Sequence, residues 1–571
     1  MMSTLSDTTR EDLDRALSEL REHAPAWAKT TPKERAAILE AIKDHLMEVA
    51  PAWAKEAARR KQIPEGSALT GEEWVSGPYA VMAACNLLVS TLTQMEGRAY
   101  LSSLPSRTLP GGQLAVKIAP HSIWDHLLLS GVEAEVWMEQ GVDAGNLAEH
   151  TASAYAIPPE EREPRVALVL GAGNIAAITP LDCFQKLFGE HQVVLLKLNP
   201  VNAYLGPFLK RALEPLVARG ALRVVEGDGA VGAYLCAHPD VDEIHITGAG
   251  ETHDLIVWGA GDEGAKNKAA GTPKLTKRIT SELGAVCPTI VVPGDWTEQD
   301  LRFQAEQIAT HKMHNSGFNC VACQVLVVPD DWGHTDRLLA EVERVIAGMG
   351  ERGLYYPGAE ERLAAFSSLH DDAHTIDRRG GGACVIAPFS EGSGDEEVFA
   401  PAMSVARLPG DAPAFLDAAI RFSNEELHGT LGANVLIDPK TISKMGRDGF
   451  ERRLTELRYG AIAVNGWTGL NFLMPQCTWG AFPGHTLEDV QSGIGVVHNT
   501  YMFDRPERTV VYAPFRPFPR TLLHGGLTLL PKPPWFVTNR RGEQLGSLLT
   551  KFQHRPGWSK IPGVFANALR G

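Results

Sequence analysis

The chain has 571 residues, of which 44% are hydrophobic and 22% are charged, and its formal net charge is −15. This composition is typical of a globular protein with a sizeable core. The acidic balance argues against a nucleic-acid partner, because phosphate binding needs clustered lysine and arginine. No window approaches the roughly 20 apolar residues of a membrane span, and the N-terminus shows no secretory signal. We therefore expect a cytoplasmic protein without a membrane span.

The eight cysteines are scattered along the chain rather than grouped into a framework. Such scattering is typical of free thiols in a reducing compartment. It agrees with the cytoplasmic location that the N-terminus suggests.

The first hundred residues predict helices. Residues 9–60 indicate two or three of them. The segment 31–34 is typical of a helix start, with Thr31 as the N-cap and Glu34 completing a capping box. Residues 71–92 predict a further long helix.

From residue 166 the pattern changes to alternating strands and helices. Strands are predicted at residues 166–170, 193–198, 222–225 and 243–247. Helices of ordinary length between them imply a parallel sheet covered on both faces. Ligands bind beyond the carboxyl ends of such strands, and Asn174, Lys197 and Gly248 follow three of these ends.

The first of these strands ends in Gly171-Ala172-Gly173. The segment lacks the third glycine of a dinucleotide-binding fingerprint. A tight turn between strand and helix is therefore an equally good interpretation of these glycines.

A second feature is the loop that carries Cys320. Residues 301–314 predict a helix and residues 325–328 a buried strand, with the polar, glycine-containing run 315–319 between them. Such a loop can present a thiol to a cleft while its flanking elements hold it rigid. Most free cysteines, however, are small buried hydrophobic residues.

The neighbouring Cys323 leaves a further alternative open. Cys320-x-x-Cys323 has the spacing of a redox pair or of half a metal site. No second pair with this spacing occurs in the chain. We therefore predict no metal site and interpret Cys323 as a buried neighbour.

Further motifs accompany the cysteine in a definite order. Residues 279–284 read Ile-Thr-Ser-Glu-Leu-Gly and contain Glu282, and residues 397–401 read Glu-Val-Phe-Ala-Pro and contain Glu397 and Phe399. Residues 460–465 predict a buried strand. These motifs resemble the aldehyde dehydrogenase superfamily, and the resemblance is continuous from residue 166 to about 512. It also includes Asn174, Lys197, the Gly248-Ala249 turn and Asn315-x-Gly317-x-x-Cys320.

The sequence also departs from that family. Ala400 replaces the glycine of the family's Glu-x-Phe-Gly-Pro motif. Residues 249–278 are longer than usual and rich in glycine and lysine, and we expect them to form an exposed insertion. Residues 515–571 form an extra tail rich in proline and aromatic residues. We expect this tail to pack on an oligomer surface or over the mouth of a substrate tunnel.

The resemblance implies an α/β fold with a Rossmann-type parallel-sheet cofactor domain, an α/β catalytic domain and a small oligomerisation element. Residues 1–283 would contain the N-terminal helices and the dinucleotide-binding domain, with part of an oligomerisation hairpin near residues 130–165. Residues 284–495 would form the catalytic domain. Residues 496–571 would supply an oligomerisation strand, near residues 509–512, and the extension. A homodimer or homotetramer is expected.

The resemblance also implies catalytic roles. Cys320 would attack an aldehyde, and the Asn174 side chain with the Cys320 backbone N–H would stabilise the oxyanion. Glu282 would activate water to hydrolyse the thioester. From the residues alone, a turn cap is an equally good interpretation of Asn174, and a surface ion pair is one of Glu282.

The cofactor expected from the resemblance is NAD or NADP. Lys197 and Glu397 would hold its two riboses, the Gly248-Ala249 backbone would approach the pyrophosphate, and Phe399 would complete the site. Pro200 stands where NAD-preferring relatives often carry a glutamate, which favours NADP slightly. Alternatively, the Lys197 side chain only extends along apolar surface to bring its ammonium group to solvent. Glu397 would then be a solvated acid like the two acidic residues before it.

The expected function is NAD(P)-dependent oxidation of an aldehyde to a carboxylic acid through a thiohemiacetal and a thioester on Cys320. One alternative passes the acyl group to coenzyme A, although the presence of Glu282 disfavours it. Another is a non-catalytic scaffold on the same fold. Apolar residues suggest an apolar aldehyde, but core packing explains them equally well; they are Phe318, Trp467, Leu470 and Phe472.

Overall fold

The structure is a computed structural model that describes residues 5–350, 352–370, 372–379 and 382–571. Its strands form two sheets. Within the described ranges the strands are β1 (Ser106–Thr108), β2 (Leu114–Ala119), β3 (Glu133–Met138), β4 (Val166–Leu170), β5 (Val193–Lys197), β6 (Leu222–Val225), β7 (Glu243–Gly248), β8 (Arg278–Leu283), β9 (Cys287–Val291), β10 (Cys323–Pro329), β11 (His374–Asp377), β12 (Ala383–Pro388), β13 (Ala402–Leu408), β14 (Gly432–Leu436), β15 (Ala461–Val464), β16 (Gly493–Ile494) and β17 (Pro506–Tyr512).

Helices connect and cover these strands. Within the same ranges they are α1 (Asp7–Ala28), α2 (Pro32–Arg60), α3 (Thr70–Trp74), α4 (Ala80–Thr93), α5 (Ile123–Leu128), α6 (Ser153–Ala156), α7 (Ile178–Phe184), α8 (Gly206–Ala212), α9 (Glu214–Val217), α10 (Gly229–Ala237), α11 (Gly250–Trp258), α12 (Gly261–Ala270), α13 (Glu298–Met313), α14 (Thr335–Ala347), α15 (Ala359–Ser368), α16 (Ala412–Glu426), α17 (Pro439–Met445), α18 (Arg447–Glu456), α19 (Thr468–Leu473), α20 (Arg520–Leu523), α21 (Gly542–His554) and α22 (Ile561–Ala568).

The first sheet has six strands in the order β16-β8-β7-β4-β5-β6. All its neighbours are parallel except the short β16, which pairs antiparallel with β8. Its central strands β4 and β5 are almost entirely buried, as continuous apolar runs in a doubly covered parallel sheet should be. The predicted α/β class is therefore confirmed, with the four predicted strands in one sheet.

The second sheet has eleven strands in the order β1-β2-β3-β17-β15-β14-β9-β10-β13-β12-β11. Its middle, from β17 to β12, is parallel, and antiparallel strands complete both ends. The strand near residues 509–512 and part of the 130–165 segment were expected to serve oligomerisation. Here they are neighbours, β17 and β3, within the chain's own sheet; their role in assembly stays a prediction.

The N-terminal helices agree with the sequence in detail. The Thr31 hydroxyl accepts from the Glu34 backbone, and the Glu34 carboxylate accepts from the Thr31 N–H at 2.8 Å. The long helix predicted over residues 71–92 is interrupted by a π-helical turn, Val75–Tyr79. Pro78 lies in this turn and has no backbone N–H to donate, which accounts for the interruption.

The same stretch, Thr70–Thr93, is the one described helical segment long and apolar enough to cross a membrane. In its most apolar window 72% of the residues are buried inside the protein. Burial of this kind is typical of a core helix.

Two segments differ from the sequence expectation. The helix expected between strands β5 and β6 is divided into a 3-10 turn, Pro200–Leu205, and the short helices α8 and α9. Pro207 and Pro215 each lie at the start of one piece, where a missing N–H is tolerated. The expected insertion folds into helices α11 and α12, and most of α12 is exposed.

Candidate active site

Cys320 lies on a turn between helix α13 and strand β10. Helix α13 begins at a capping box formed by Thr297 and Asp300 and ends at Met313. The next residues reverse the chain in left-handed geometry, with φ of 54° at Asn315, 56° at Ser316 and 83° at Gly317. Glycine adopts this region freely and asparagine tolerates it, which explains the polar, glycine-containing sequence of the turn.

Side chains around the turn hold it in this conformation. The Asn315 amide donates to the Phe318 carbonyl at 2.9 Å, and the Asn319 amide donates to the His314 carbonyl at 3.0 Å. The Tyr355 hydroxyl donates to the Asn315 side-chain oxygen at 3.0 Å. The turn is therefore fixed on both sides by hydrogen bonds.

The thiol of Cys320 is partly exposed, whereas the other seven cysteines are buried. It lines a large cavity at the carboxyl ends of the six-stranded sheet. Burial raises the pKa of Cys320 well above its ordinary value, and the nearby Glu282 carboxyl raises it further. The thiol is therefore protonated at neutral pH and needs a base to become a nucleophile.

Glu282 supplies a carboxyl group next to this thiol. It lies on strand β8, is 1% exposed, and neither carboxyl oxygen has a hydrogen-bond partner in the described part of the chain. Burial, and then the charge of Asp182, raise the pKa of Glu282 to about 7, while the Cys320 thiol and the Trp479 indole oppose the shift. A surface ion pair, the alternative left open by the sequence, does not describe this side chain.

Asn174 follows strand β4 and is 6% exposed. Its amide nitrogen donates to the Phe318 carbonyl at 3.0 Å, so that it reaches the turn two residues before Cys320. An amide nitrogen carries two hydrogens. One holds the turn, and the second is available on the cavity wall that Asn174 lines.

The cavity collects most of the residues singled out by the sequence. Its volume is about 1550 Å³. The predicted residues that line it are Asn174, Lys197, Gly248, Ala249, Glu282, Cys320, Glu397 and Phe399. Pro200 lies elsewhere, in a shallow surface depression with Tyr204 and Phe208. The structure thus brings eight of the nine predicted positions together.

Two charged residues lie on the walls of this cavity. Burial lowers the pKa of Lys197, and the Asp228 carboxylate opposes that shift. Burial raises the pKa of Glu397 to about 8, against the influence of Lys312 and with a further contribution from Glu282. The Glu397 Oε1 atom is buried and has no partner within the described residues. An unpaired buried acceptor of this kind is suited to a ligand hydroxyl.

These observations fit a dinucleotide. The cavity exceeds the roughly 300–1,000 Å³ of an ordinary small-molecule site. Gly250, at the start of helix α11, lines the cavity, and the backbone N–H groups at a helix N-terminus suit a pyrophosphate. Lys197 and Glu397 line the same cavity.

Several residues near the site escaped the sequence interpretation. Asp182 accepts from the Thr247 hydroxyl at 2.9 Å and contacts the His498 ring at 3.2 Å. Trp479 lies beside Glu282. They come from segments far apart in the chain, and no local motif marks them, because only the tertiary fold brings them together.

The apolar candidates for a substrate tunnel are mainly packing residues. Phe318 is fully buried, and its ring contacts those of Tyr355 and Phe399. Trp467 packs on the His314 ring. Phe472 is only partly buried and contacts the Trp479 ring at 5.5 Å, in a cluster that includes Cys320.

Fold and site together define an α/β protein with a cysteine, a carboxyl and an amide on one large cavity. Residues 194–356, less than a third of the chain, match the model of the aldehyde dehydrogenase family. This match agrees with the resemblance that the motifs indicated. The matched segment contains Lys197, Glu282 and Cys320 but neither Asn174 nor Glu397.

Solved structures with the same fold include an NAD-dependent aldehyde dehydrogenase from Sinorhizobium meliloti, which is 18% identical in sequence. The match covers 89% of this chain and 88% of that chain, with a TM-score of 0.56. The aldehyde dehydrogenase KauB from Pseudomonas aeruginosa is also 18% identical, with 88% of each chain covered and a TM-score of 0.57. Proline utilization A from Bradyrhizobium japonicum is 19% identical over 89% of this chain, with a TM-score of 0.57. This chain spans 45% of that longer protein.

Proposed function

We propose that the protein oxidises an aldehyde to a carboxylic acid, with NAD or NADP as cofactor and Cys320 as nucleophile. One observation carries this proposal: the Cys320 thiol lies beside the buried carboxyl of Glu282 on the wall of a dinucleotide-sized cavity. The class of reaction agrees with the family match. The roles of individual residues are derived below from their surroundings.

We infer how the nucleophile is activated from the raised pKa values of Cys320 and Glu282. The thiol pKa is raised, and the pKa of Glu282 is raised to about 7. A carboxylate with a pKa near the working pH is an effective general base. We infer that Glu282 removes the Cys320 proton as the aldehyde arrives.

Attack of the thiolate on the aldehyde carbon produces an oxyanion. We assign two donors to this oxyanion: the second N–H of the Asn174 amide and the backbone N–H of Cys320. Fixed donors of this type stabilise charge that develops in the transition state. Asn174 is already fixed by its bond to the Phe318 carbonyl, so that little reorganisation is needed.

Lys197 and Glu397 would hold the riboses of the cofactor, and the backbone at residues 248–250 would receive the pyrophosphate. A bound nicotinamide would supply the hydride acceptor that converts the thiohemiacetal on Cys320 to a thioester. Once Glu282 has released the thiol proton to solvent, its carboxylate acts a second time, as the base for the water that releases the acid.

The proposed cofactor preference rests on Pro200, which stands where the resemblance places a carboxylate but which lies in the depression outside the cavity. Pro200 supplies no carboxylate to repel a 2′-phosphate, and we propose that NADP is accepted, with a slight preference over NAD. Asp228 also lines the cavity with Lys197, and Asp228→Asn should raise the ratio of NADP to NAD affinity. Titration with each cofactor measures this ratio, and a much higher kcat/KM with NAD than with NADP in the wild type contradicts the proposal.

The experiment that tests the function is turnover of aliphatic and aromatic aldehydes with each cofactor, without coenzyme A. Release of free acid supports the proposal. Turnover that requires coenzyme A points to the acyl-transferring alternative. Absence of turnover, with no heightened alkylation of Cys320, favours a non-catalytic scaffold.

A further inference from the structure

The C-terminal extension contacts both elements that support the turn carrying Cys320. We define the nucleophile turn as residues 314–320 and the C-terminal brace as residues 515–554. The brace lies after the last segment that resembles the family. Its contacts are made to helix α13, which leads into the nucleophile turn, and to helix α3, which touches the turn from the other side.

The first contact runs along one face of helix α13. Residues 300, 303, 306 and 310 of this helix share that face because they are spaced by about one turn. The contacts are Arg516 with the Asp300 carboxylate at 2.7 and 2.8 Å, Phe536 stacked on Phe303 at 5.4 Å, the Thr538 hydroxyl with the Glu306 carboxylate at 2.6 Å, and the Val537 N–H with the Thr310 hydroxyl at 3.2 Å. The brace thus fixes α13 up to three residues before its end.

The second contact joins helices α21 and α3 through their backbones. An ideal Cβ at Gly71 would lie 2.1 Å from the carbonyl carbon of Gly542. A Cβ at Gly546 would lie 2.5 Å from the Trp74 side chain. Any larger residue at these positions must push the two helices apart, so the position of α3 depends on the brace.

Glu72, next to Gly71, connects helix α3 to the nucleophile turn. It is 4% exposed, and its Oε2 atom accepts the backbone N–H of Asn315 at 2.9 Å and pairs with Arg352 at 2.7 Å. Asn315 is the first of three successive left-handed residues. Non-glycine residues in this region are strained and persist only where the surroundings hold them.

We propose that the C-terminal brace holds the nucleophile turn in its left-handed conformation, and that Glu72 is a positioning residue for Cys320. This inference rests on the proposed function, because it assigns the brace and Glu72 a role in positioning the Cys320 thiol for the reaction. A shift of helix α3 moves Glu72, and with it the Asn315 N–H. A misplacement of about 1 Å can cost about a hundredfold in rate.

One matched pair of variants tests the brace. Gly546→Ala inserts a methyl group between helices α21 and α3, whereas Gly563→Ala adds the same group to helix α22, where nothing lies within 4 Å. Gly546→Ala should lower kcat about tenfold or more, and the Kd of NAD and NADP should change by less than about twofold. Gly563→Ala should leave all three constants unchanged.

A second pair tests Glu72 against the general cost of removing a buried carboxylate. Glu73, on the same helix, is 1% exposed and pairs with Lys61 at 2.9 Å, and within the described residues its carboxylate makes no hydrogen bond to the nucleophile turn. Glu72→Leu and Glu73→Leu should both lower Tm. Only Glu72→Leu should lower kcat about tenfold and change the rate of Cys320 alkylation by iodoacetamide.

The outcomes separate the brace from the proposed function. If the wild-type protein oxidises no aldehyde, the proposed function fails. In that case the alkylation rates of Cys320 in the variants alone decide whether the brace determines the position of the thiol. If the wild type is active but Gly546→Ala matches Gly563→Ala in kcat and alkylation rate, the brace is refuted. Equal effects of Glu72→Leu and Glu73→Leu on kcat refute the positioning role of Glu72.

Discussion

The side-chain amides of Asn174 and Asn315 donate to the same acceptor, the Phe318 carbonyl oxygen, at 3.0 and 2.9 Å. They come from different sheets, since Asn174 follows strand β4 and Asn315 precedes strand β10. The Phe318 carbonyl, two residues before the nucleophile, is therefore held by two hydrogen bonds. This redundancy allows the proposed catalytic role of Asn174 to be separated from its structural one.

Asn174→Ala should lower kcat by about 10²–10³, the usual cost of losing one oxyanion donor. Its structural cost should be small, about 1 kcal/mol, because Asn315 continues to bond the Phe318 carbonyl. Steady-state kinetics and urea unfolding measure the two effects on one sample. An unchanged kcat, or a loss that parallels unfolding, argues against the oxyanion role.

The pH dependence of turnover should report Glu282. Its pKa is raised to about 7 by burial and then by Asp182. The base form exists above that value, so kcat should rise with pH and level off above about pH 8. Glu282→Gln should remove this limb, lower steady-state kcat by about 10²–10⁴, and leave an acyl group on Cys320 that mass spectrometry detects. Persistence of the same pH limb in this variant excludes Glu282 as its source.

Stability should depend on pH through the same two carboxyl groups. The folded-state pKa is about 7 for Glu282 and about 8 for Glu397, above the ordinary value of 4.5. A raised folded pKa means that folding binds a proton, so the contribution is complete below about pH 4.5 and is lost as the pH rises through 7 and 8.

Glu397→Gln should therefore lose less stability than the wild type between pH 5 and 8, by on the order of 3 kcal/mol. Glu396→Gln removes an exposed neighbouring carboxyl and serves as the control. Urea unfolding of the cofactor-free protein at each pH gives the free energies. Parallel curves for the wild type and Glu397→Gln contradict the assigned burial of this carboxyl.

The sequence predicted the features that depend on local pattern. The strands that end near Asn174, Lys197 and Gly248 could be predicted from the sequence because buried parallel strands are continuous apolar runs. Motif order then placed Glu282 and Cys320, which lie 38 positions apart, at one cavity. Local pattern predicts ends of strands well, and the topology of parallel sheets gathers those ends at one edge.

Contacts between distant segments were not predictable in this way. Nothing near Glu72 marks it as the partner of Asn315, 243 positions away. The tail was expected on an oligomer surface or over a tunnel mouth, yet it lies on helices α13 and α3 of its own chain. Proline-induced breaks in helices were also underestimated, because apolar periodicity continues across Pro78 while the hydrogen-bond ladder does not.

The two cysteines of the Cys320-x-x-Cys323 segment should behave differently. Cys323 is fully buried at the start of strand β10, opposite Cys287 on strand β9, whereas Cys320 is partly exposed on the cavity wall. Cys320→Ala should abolish turnover, a loss of about a thousandfold or more, because the covalent step has no other nucleophile. Cys323→Ala should keep turnover within about threefold and cost about 1 kcal/mol of stability, as a small buried truncation does.

Site-resolved alkylation of the wild type should modify Cys320 before Cys323. Equal loss of turnover in both variants, with a disulfide between the two positions in the active protein, would instead establish the redox pair.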